Sequence, residues 1–149
     1  MKQSNLNETV VDNQLVIDKK KMKNIFSDFD LENPPAVCPI RDVLANVLDK
    51  WSILIILMLG YYEILRFADL KKKIKGISPK MLSISLKHLE KDGFIIRTAF
   101  AEVPLRVEYK LTAQGKSFCN KILELSEWIS IYFPTIVDGR NKIDASTKD

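Results

Sequence analysis

Lysine residues are concentrated between Lys71 and Lys91. This stretch holds seven lysines and one acidic residue, Glu90, although the net charge of the whole chain is only +4. A local block of positive charge on a nearly neutral protein is typical of a surface that contacts phosphate groups. A solvated lysine-rich face has the same composition, so the lysines indicate phosphate binding only together with the elements that position them.

The segment from Ser78 to Gly93 has the features of a capped amphipathic helix. Ser78 is suited to the N-cap, Pro79 to the first helical position and Gly93 to the residue that ends the helix. Apolar side chains recur along one face at helical spacing: Leu82, Leu86 and Leu89. The opposite face carries basic and short side chains: Lys80, Ser83, Ile84, Lys87, His88 and Lys91. The pattern predicts a helix that packs on a core and presents a basic face to solvent.

The flanking sequence predicts the elements that would hold this helix. Helical spacing of apolar residues occurs in three preceding segments: 39–47, 50–59 and 67–74. Asp49 is suited to cap the second of these helices, which is apolar on all sides and is therefore expected at the centre of the core. After Gly93 the apolar period changes to two, in segments 94–100 and 106–111. Their short connection predicts an antiparallel hairpin.

The last predicted helix runs from a cap at Thr112 through Ile131. It carries a wide apolar face: Phe118, Ile122, Leu125, Trp128 and Ile129. A domain of this size has little surface of its own to cover such a face, so we expect part of it to contact a second copy of the chain. These five residues are therefore assigned to a dimer interface.

Changes in composition divide the chain into an N-terminal arm that is partly ordered, a folded domain and a flexible tail: residues 1–34, 35–137 and 138–149. The N-terminus lacks the apolar core of a signal peptide. The longest apolar run, from Trp51 to Tyr62, is shorter than the roughly 20 residues that span a bilayer. We therefore expect a cytoplasmic protein without a membrane segment.

Residues that could perform catalysis or bind metal are scarce in the sequence. His88 is the single histidine, and the two cysteines, Cys38 and Cys119, form no C-x-x-C pair. One histidine on a surface helix supports no Ser-His-Asp or Cys-His arrangement, and the five glycines form no phosphate-binding loop. The sequence therefore predicts no enzyme activity, no metal site and no cofactor.

The predicted elements follow one another in the order of a winged helix-turn-helix domain. The expected fold class is mainly α with a small β-hairpin, and the terminal helices are expected to form a dimer interface. Because a major groove accepts one α-helix, we expect residues 79–91 to lie in the groove and the wing, residues 100–106, on the flanking backbone or minor groove. The hypothesis is a sequence-specific DNA-binding transcriptional regulator that acts as a homodimer. Repression is the default expectation for a small regulator without an activation domain.

The predicted DNA contacts are of two kinds. We expect base contacts from the outer face of the basic helix: Ser83, Ile84 and Lys87. We expect phosphate contacts from residues on and around it: Ser78, Lys80, Lys91, Lys71, Lys73 and Arg106. Arg66 is expected either to contact phosphate or to pair with Asp69. The rival interpretation is a winged-helix module that binds protein instead of DNA, but it predicts a neutral or acidic helix face, which the lysines contradict.

Several motifs carry a family resemblance: Cys38–Leu44, Asp49–Ser52, Leu65–Leu70, Gly76–Leu82, Leu86–Gly93 and Glu102–Tyr109. In this order and spacing they resemble the HxlR family of bacterial winged-helix regulators, relatives of the MarR group. The resemblance covers Cys38 to about Trp128 and implies homodimers with two recognition helices in successive major grooves. Three places depart from the family pattern: Leu48, residues 62–65 and Leu105.

The resemblance also raises a redox hypothesis for Cys38, because some relatives sense electrophiles through a cysteine at this place. A helix N-terminus beside Arg41 would lower the pKa of the thiol. The alternative is a small buried residue at the start of a helix. The expected effector is accordingly a small molecule or a redox signal, whereas Cys119 is expected to be a packing residue.

Overall fold

The computed structural model describes residues 17–21 and 39–146. Residues from Val43 onward form the larger of two compact units. The elements in chain order are α1 (Pro39–Val47), α2 (Lys50–Tyr62), β1 (Ile64–Arg66), α3 (Phe67–Lys73), α4 (Pro79–Lys91), β2 (Ile95–Phe100), β3 (Arg106–Leu111) and α5 (Ala113–Ser146). The expected fold class, mainly helical with a small antiparallel sheet, is confirmed. The predicted arm, residues 1–34, lies almost wholly outside the described residues.

Helix α2 forms the centre of the core, as its uniformly apolar sequence predicts. The Asp49 carboxylate caps it by accepting hydrogen bonds from the backbone N–H groups of Trp51, at 2.9 Å, and Ser52, at 3.2 Å. Ile55 and Ile56 are completely buried. The helix continues to Tyr62, beyond the predicted end at residue 59, and the Glu63 backbone N–H still donates to the Leu59 carbonyl oxygen at 3.0 Å.

Helix α4 begins and ends where its caps predict. The Ser78 hydroxyl accepts a hydrogen bond from the backbone N–H of Met81 at 3.1 Å, and Pro79 is the first helical residue. Gly76 and Gly93, on either side, have φ angles of +86° and +78°, which glycine adopts without steric cost. The predicted inward residues of α4 are all buried: Leu82, Leu86 and Leu89. The apolar contacts therefore fix which face of α4 points outward.

The sheet has three strands in the order β1-β3-β2, all antiparallel. The hairpin of β2 and β3 is the predicted one, with Ile95 opposite Leu111 and Phe100 opposite Arg106. The additional strand, β1, was not predicted. Its three residues pair with Lys110, Tyr109 and Glu108 of β3.

Helix α5 is longer than the sequence predicts. It continues past Ile131 and through Pro134 to Ser146, so residues 138–146 of the expected flexible tail are helical. Its first turns pack on the core. There the centres of the Phe118 and Phe94 rings are 5.3 Å apart, and Ile122 is buried. Ile122 is thus a core residue of this chain and Phe118 packs against the same core, so these two side chains leave little surface for the predicted dimer interface.

Candidate nucleic-acid interface

The outer face of α4 is open to solvent. Lys80, Lys87, His88 and Lys91 are exposed, and Ser83 and Ile84 are half-buried. None of these four basic side chains has a salt bridge to another described residue. The three buried leucines on the opposite face hold the helix in place, so the cationic face is presented by a rigid element.

A cleft of about 410 Å³ separates α4 from the hairpin. Its lining residues come from α3, α4, β2 and β3: Phe67, Ser83, Leu86, Lys87, Glu90, Arg97 and Tyr109. Arg97 is directly opposite Tyr109 in the β2–β3 register. Directly paired residues point to the same face of a sheet, and Tyr109 is buried, so Arg97 is on the face that looks toward α4. The cleft therefore gathers Lys87 and Arg97, with Glu90 as its one acidic lining residue.

Arg97 is a candidate site residue that the sequence prediction missed. Its place in the strand is visible in the sequence, because Ile95 and Arg97 are two residues apart and share a face. That Ile95 faces inward follows only from the strand register with Leu111. Without the register, an isolated arginine in a strand carries no sign of the helix that it faces.

The lysines of α3 are not placed in the cleft. Lys73 extends toward the end of α2, where its Nζ lies 3.7 Å from the centre of the Tyr62 ring. Lys71 is half-buried. Phe67, at the other end of α3, is the residue of this helix that lines the cleft. The structure thus brings the N-terminal end of α3 to the cleft, and Lys71 and Lys73 remain expected phosphate contacts from outside it.

Arg106 is occupied by neighbours within the wing. Its guanidinium donates to the Glu102 carboxylate at 2.8 and 3.1 Å and to Glu108 at 2.6 Å, and it lies 3.7 Å from the centre of the Phe100 ring. The hydrogen bond from Arg106 lowers the pKa of the Glu102 carboxyl, and Glu102 raises the pKa of the Arg106 guanidinium. Two carboxylates thus offset the charge of this arginine, and its predicted phosphate contact stays a prediction.

Arg66 contacts Asp69, but not through its guanidinium. The Asp69 carboxylate accepts a hydrogen bond from the Arg66 backbone N–H at 3.2 Å, at the start of α3. The exposed Arg66 side chain is on a residue that pairs with Glu108 across the sheet. The Arg66 charge also helps to lower the pKa of the Glu102 carboxyl, so the two are close enough to interact. Glu102 and Glu108 therefore reduce the positive potential around Arg66.

The distal part of α5 exposes large apolar side chains. Leu125 and Trp128 are each 50% exposed, and Ile129 is 42% exposed. Three of the five residues predicted for the dimer interface are therefore accessible. Exposed apolar groups continue farther along the helix: Ile131 and Phe133.

The two cysteines differ in what the structure shows of them. Cys38 lies outside the described residues. Cys119 is a packing residue, as expected: it is buried, its Sγ is 3.9 Å from the Ile56 carbonyl oxygen, and burial raises the pKa of its thiol. In the described part of the chain no group of three potential metal ligands comes together. No helix there is long and apolar enough to cross a membrane.

Helices α2 and α3, the capped basic helix α4 and an antiparallel hairpin define a winged helix-turn-helix, the domain of a class of DNA-binding transcriptional regulators. A model of HxlR-like helix-turn-helix proteins matches residues 46–136. The HTH-type transcriptional regulator YtfH of Escherichia coli (strain K12) is 42% identical over 107 residues, which cover 70% of this chain and 82% of YtfH. The chain belongs to the HxlR-like helix-turn-helix family.

Two solved structures extend the comparison. The transcriptional regulator ytfH from Salmonella typhimurium is 38% identical, with a TM-score of 0.66, and covers 76% of this chain and 98% of its own. Diamide-treated YodB from Bacillus subtilis is 27% identical, with a TM-score of 0.55, and covers 66% of this chain and 97% of its own. These relatives are transcriptional regulators, so the chain is a transcriptional regulator with a helix-turn-helix DNA-binding domain.

Proposed function

We propose that this regulator binds a specific DNA sequence as a homodimer, with α4 in the major groove, and represses transcription. The observation that carries the proposal is the arrangement of α4. Three buried leucines fix it on the core, and its cationic face is open to solvent. A helix of this diameter fits a major groove, where its outer side chains reach base edges.

The proposed base contacts are Ser83, Ile84 and Lys87. Lysine is a donor to guanine O6 and N7, serine forms hydrogen bonds with several bases, and Ile84 offers an apolar contact for a thymine methyl group. All three lie on the outer side of α4. Lys87 is exposed, and Ser83 and Ile84 are half-buried, so DNA can reach them without any unfolding of the protein.

The proposed phosphate contacts surround these residues. Lys80 and Ser78 lie at the N-terminal end of α4, which also favours anions through the helix dipole. Lys91 lies at the other end, and Arg97 approaches from the hairpin side of the cleft. We place Lys71, Lys73 and Arg66 at the periphery, because their side chains lie outside the cleft.

The wing is proposed to contact the minor groove or flanking backbone mainly through apolar groups. Val103 and Leu105 are exposed at its tip, whereas Arg106 is held by two glutamates. Apolar side chains in a minor groove contact sugars and base edges, and these contacts need no ion pair with a phosphate group.

A direct test of the proposal uses fluorescence anisotropy. The probe is a labelled duplex from the region beside the protein's own gene, and a shuffled duplex of equal length is the control. Contacts with several phosphates predict a steep linear fall of log affinity with log salt, by about 0.9 for each phosphate neutralised. Equal, salt-insensitive affinity for the two duplexes, or no binding to either, would contradict the proposal and favour the protein-binding interpretation.

We propose that the distal part of α5 joins two copies of the chain. Its exposed leucine, tryptophan and isoleucine side chains form a larger apolar surface than scattered single residues would. Aromatic anchors such as Trp128 are typical of the centre of an interface. The exposed Val43 and Leu44 of α1 are candidates to extend it.

The dimer is tested by Ile129→Glu. A carboxylate at the centre of an apolar interface loses its hydration without gaining a partner, so we expect the variant to sediment as a 17.1 kDa monomer while the wild type sediments at twice that mass. Ile96→Glu is the matched control, because Ile96 on the sheet is also 42% exposed. A monomeric wild type, or an equal effect of both substitutions, would refute the interface.

A further inference from the structure

A second concave site lies away from α4, where the end of α2, the sheet and α5 meet. The cavity measures about 800 Å³ and is open on one side. Its walls are mostly apolar, with Met58 from α2, Leu111 from β3 and Leu123 from α5. Pockets for small organic molecules have this size and this apolar character.

Two helices approach each other closely at Gly60 and Cys119, which both line the cavity. A Cβ atom on Gly60 of α2 would lie 2.7 Å from the Sγ of Cys119 on α5, so any other residue at position 60 would have to displace that side chain. Beyond it, the backbone leaves α2 at Glu63, which has a φ of +65°. Non-glycine residues in this region are strained, and such strain is concentrated at functional sites. Gly60 and Glu63 both line the cavity.

The rim of the cavity carries two lysines from different elements. Lys110 of β3 and Lys116 of α5 are exposed, and neither forms a salt bridge with any residue that the structure describes. Glu63 is the acidic residue among the lining residues. The two ammonium groups leave an excess of positive charge beside an apolar hollow, which is complementary to a molecule with an apolar body and one anionic group.

We propose that this cavity is an effector site for a small aromatic or aliphatic carboxylate. The apolar body would lie against Met58, Leu111 and Leu123, and the carboxylate would accept hydrogen bonds from Lys110 and Lys116. The ligand would thereby bridge the wing sheet and α5, the helix of the proposed dimer. Its effect on DNA binding rests on the proposed function, whereas ligand binding itself does not.

Calorimetric titration with 2-naphthoate tests the site, with 2-naphthalenemethanol as an uncharged analogue of the same shape. We expect the wild type to bind 2-naphthoate more tightly than the alcohol, and Lys116→Gln to weaken naphthoate binding about tenfold while leaving the alcohol unaffected. Lys121→Gln is the matched control, because Lys121 is on the same helix, outside the cavity, paired with Glu124 at 3.0 Å. Leu123→Trp, at a half-exposed rim position, is expected to block both compounds.

Four results would overturn the effector site: no binding by the wild type, equal affinity for the two compounds, an equal loss in Lys121→Gln, or binding only by the Ile129→Glu monomer. The last result would mean that a second copy of the chain covers the cavity. Circular dichroism checks that each variant is folded.

The DNA anisotropy assay, repeated with 2-naphthoate, separates the two proposals. A chain that binds naphthoate but no DNA refutes only the proposed function, and one that binds DNA but no naphthoate refutes only the effector site.

Discussion

Replacing Lys87 and Arg97 together by glutamine is expected to reduce affinity for the promoter duplex about 100-fold. The two side chains line the same cleft from opposite sides, one on α4 and one on β2. A base contact from Lys87 and a phosphate contact from Arg97 are each worth about 1.4 kcal/mol or more, which corresponds to tenfold in affinity. Fluorescence anisotropy in a fixed salt concentration measures the loss.

The control for this double variant is Lys121→Gln combined with Arg140→Gln. It removes the same two charges from exposed positions on α5, so it corrects for the change in net charge. Arg97→Gln alone is expected to lower the salt slope by about one, whereas Lys87→Gln is expected to relax the base preference at one position. If the cleft variant and the control bind the promoter duplex with equal affinity, Lys87 and Arg97 do not contact the DNA.

Gly115→Ala is expected to destabilise the fold by about 3 kcal/mol, the upper part of the range for overpacking a core. A Cβ atom at residue 115 would overlap with the carbonyl oxygen of Phe94, which is backbone and cannot move aside as a side chain can. The same oxygen accepts a hydrogen bond from the Thr112 N–H at 3.0 Å. The substitution must therefore displace the start of α5 from the start of β2.

Urea denaturation followed by circular dichroism measures this free energy of unfolding. Gly139→Ala is the matched control, since the same helix has nothing within 4 Å of a Cβ at that position. There we expect a gain of up to about 1 kcal/mol, because alanine favours a helix more than glycine does. Equal stability of Gly115→Ala and the wild type would show that the junction between α5 and β2 is loose.

Helix α4 could be predicted in full because its signals are local. Ser78, Pro79 and Gly93 each act within one turn of the helix, and the leucine spacing needs no partner to be read. Strand β1 could not be predicted, since three residues are too few to show a period and their pairing with β3 is a tertiary contact. The place of Arg97 was missed for a related reason: it depends on the register of two strands.

Two further differences have a common physical cause. The apolar face of α5 consists of a proximal part that covers the core and a distal part that is exposed, and hydrophobicity alone does not separate them. Phe118 and Ile122 therefore resembled Leu125 and Trp128, residues of the proposed interface, in sequence. The pairing of Arg106 was likewise not predicted, because Glu102 and Glu108 reach it only when the wing is folded.

The pairing of Arg106 with Glu102 and Glu108 has a consequence for how the wing meets DNA. A wing loop held by its own ion pairs keeps one conformation, so it loses little conformational entropy when it binds DNA. In the proposed complex the wing would contribute little to the electrostatic attraction between protein and DNA, and it would exclude duplexes whose groove is too narrow at that point. The choice of a DNA site would then depend on two independent factors: base contacts from α4, and the fit of the wing to the shape of the neighbouring groove.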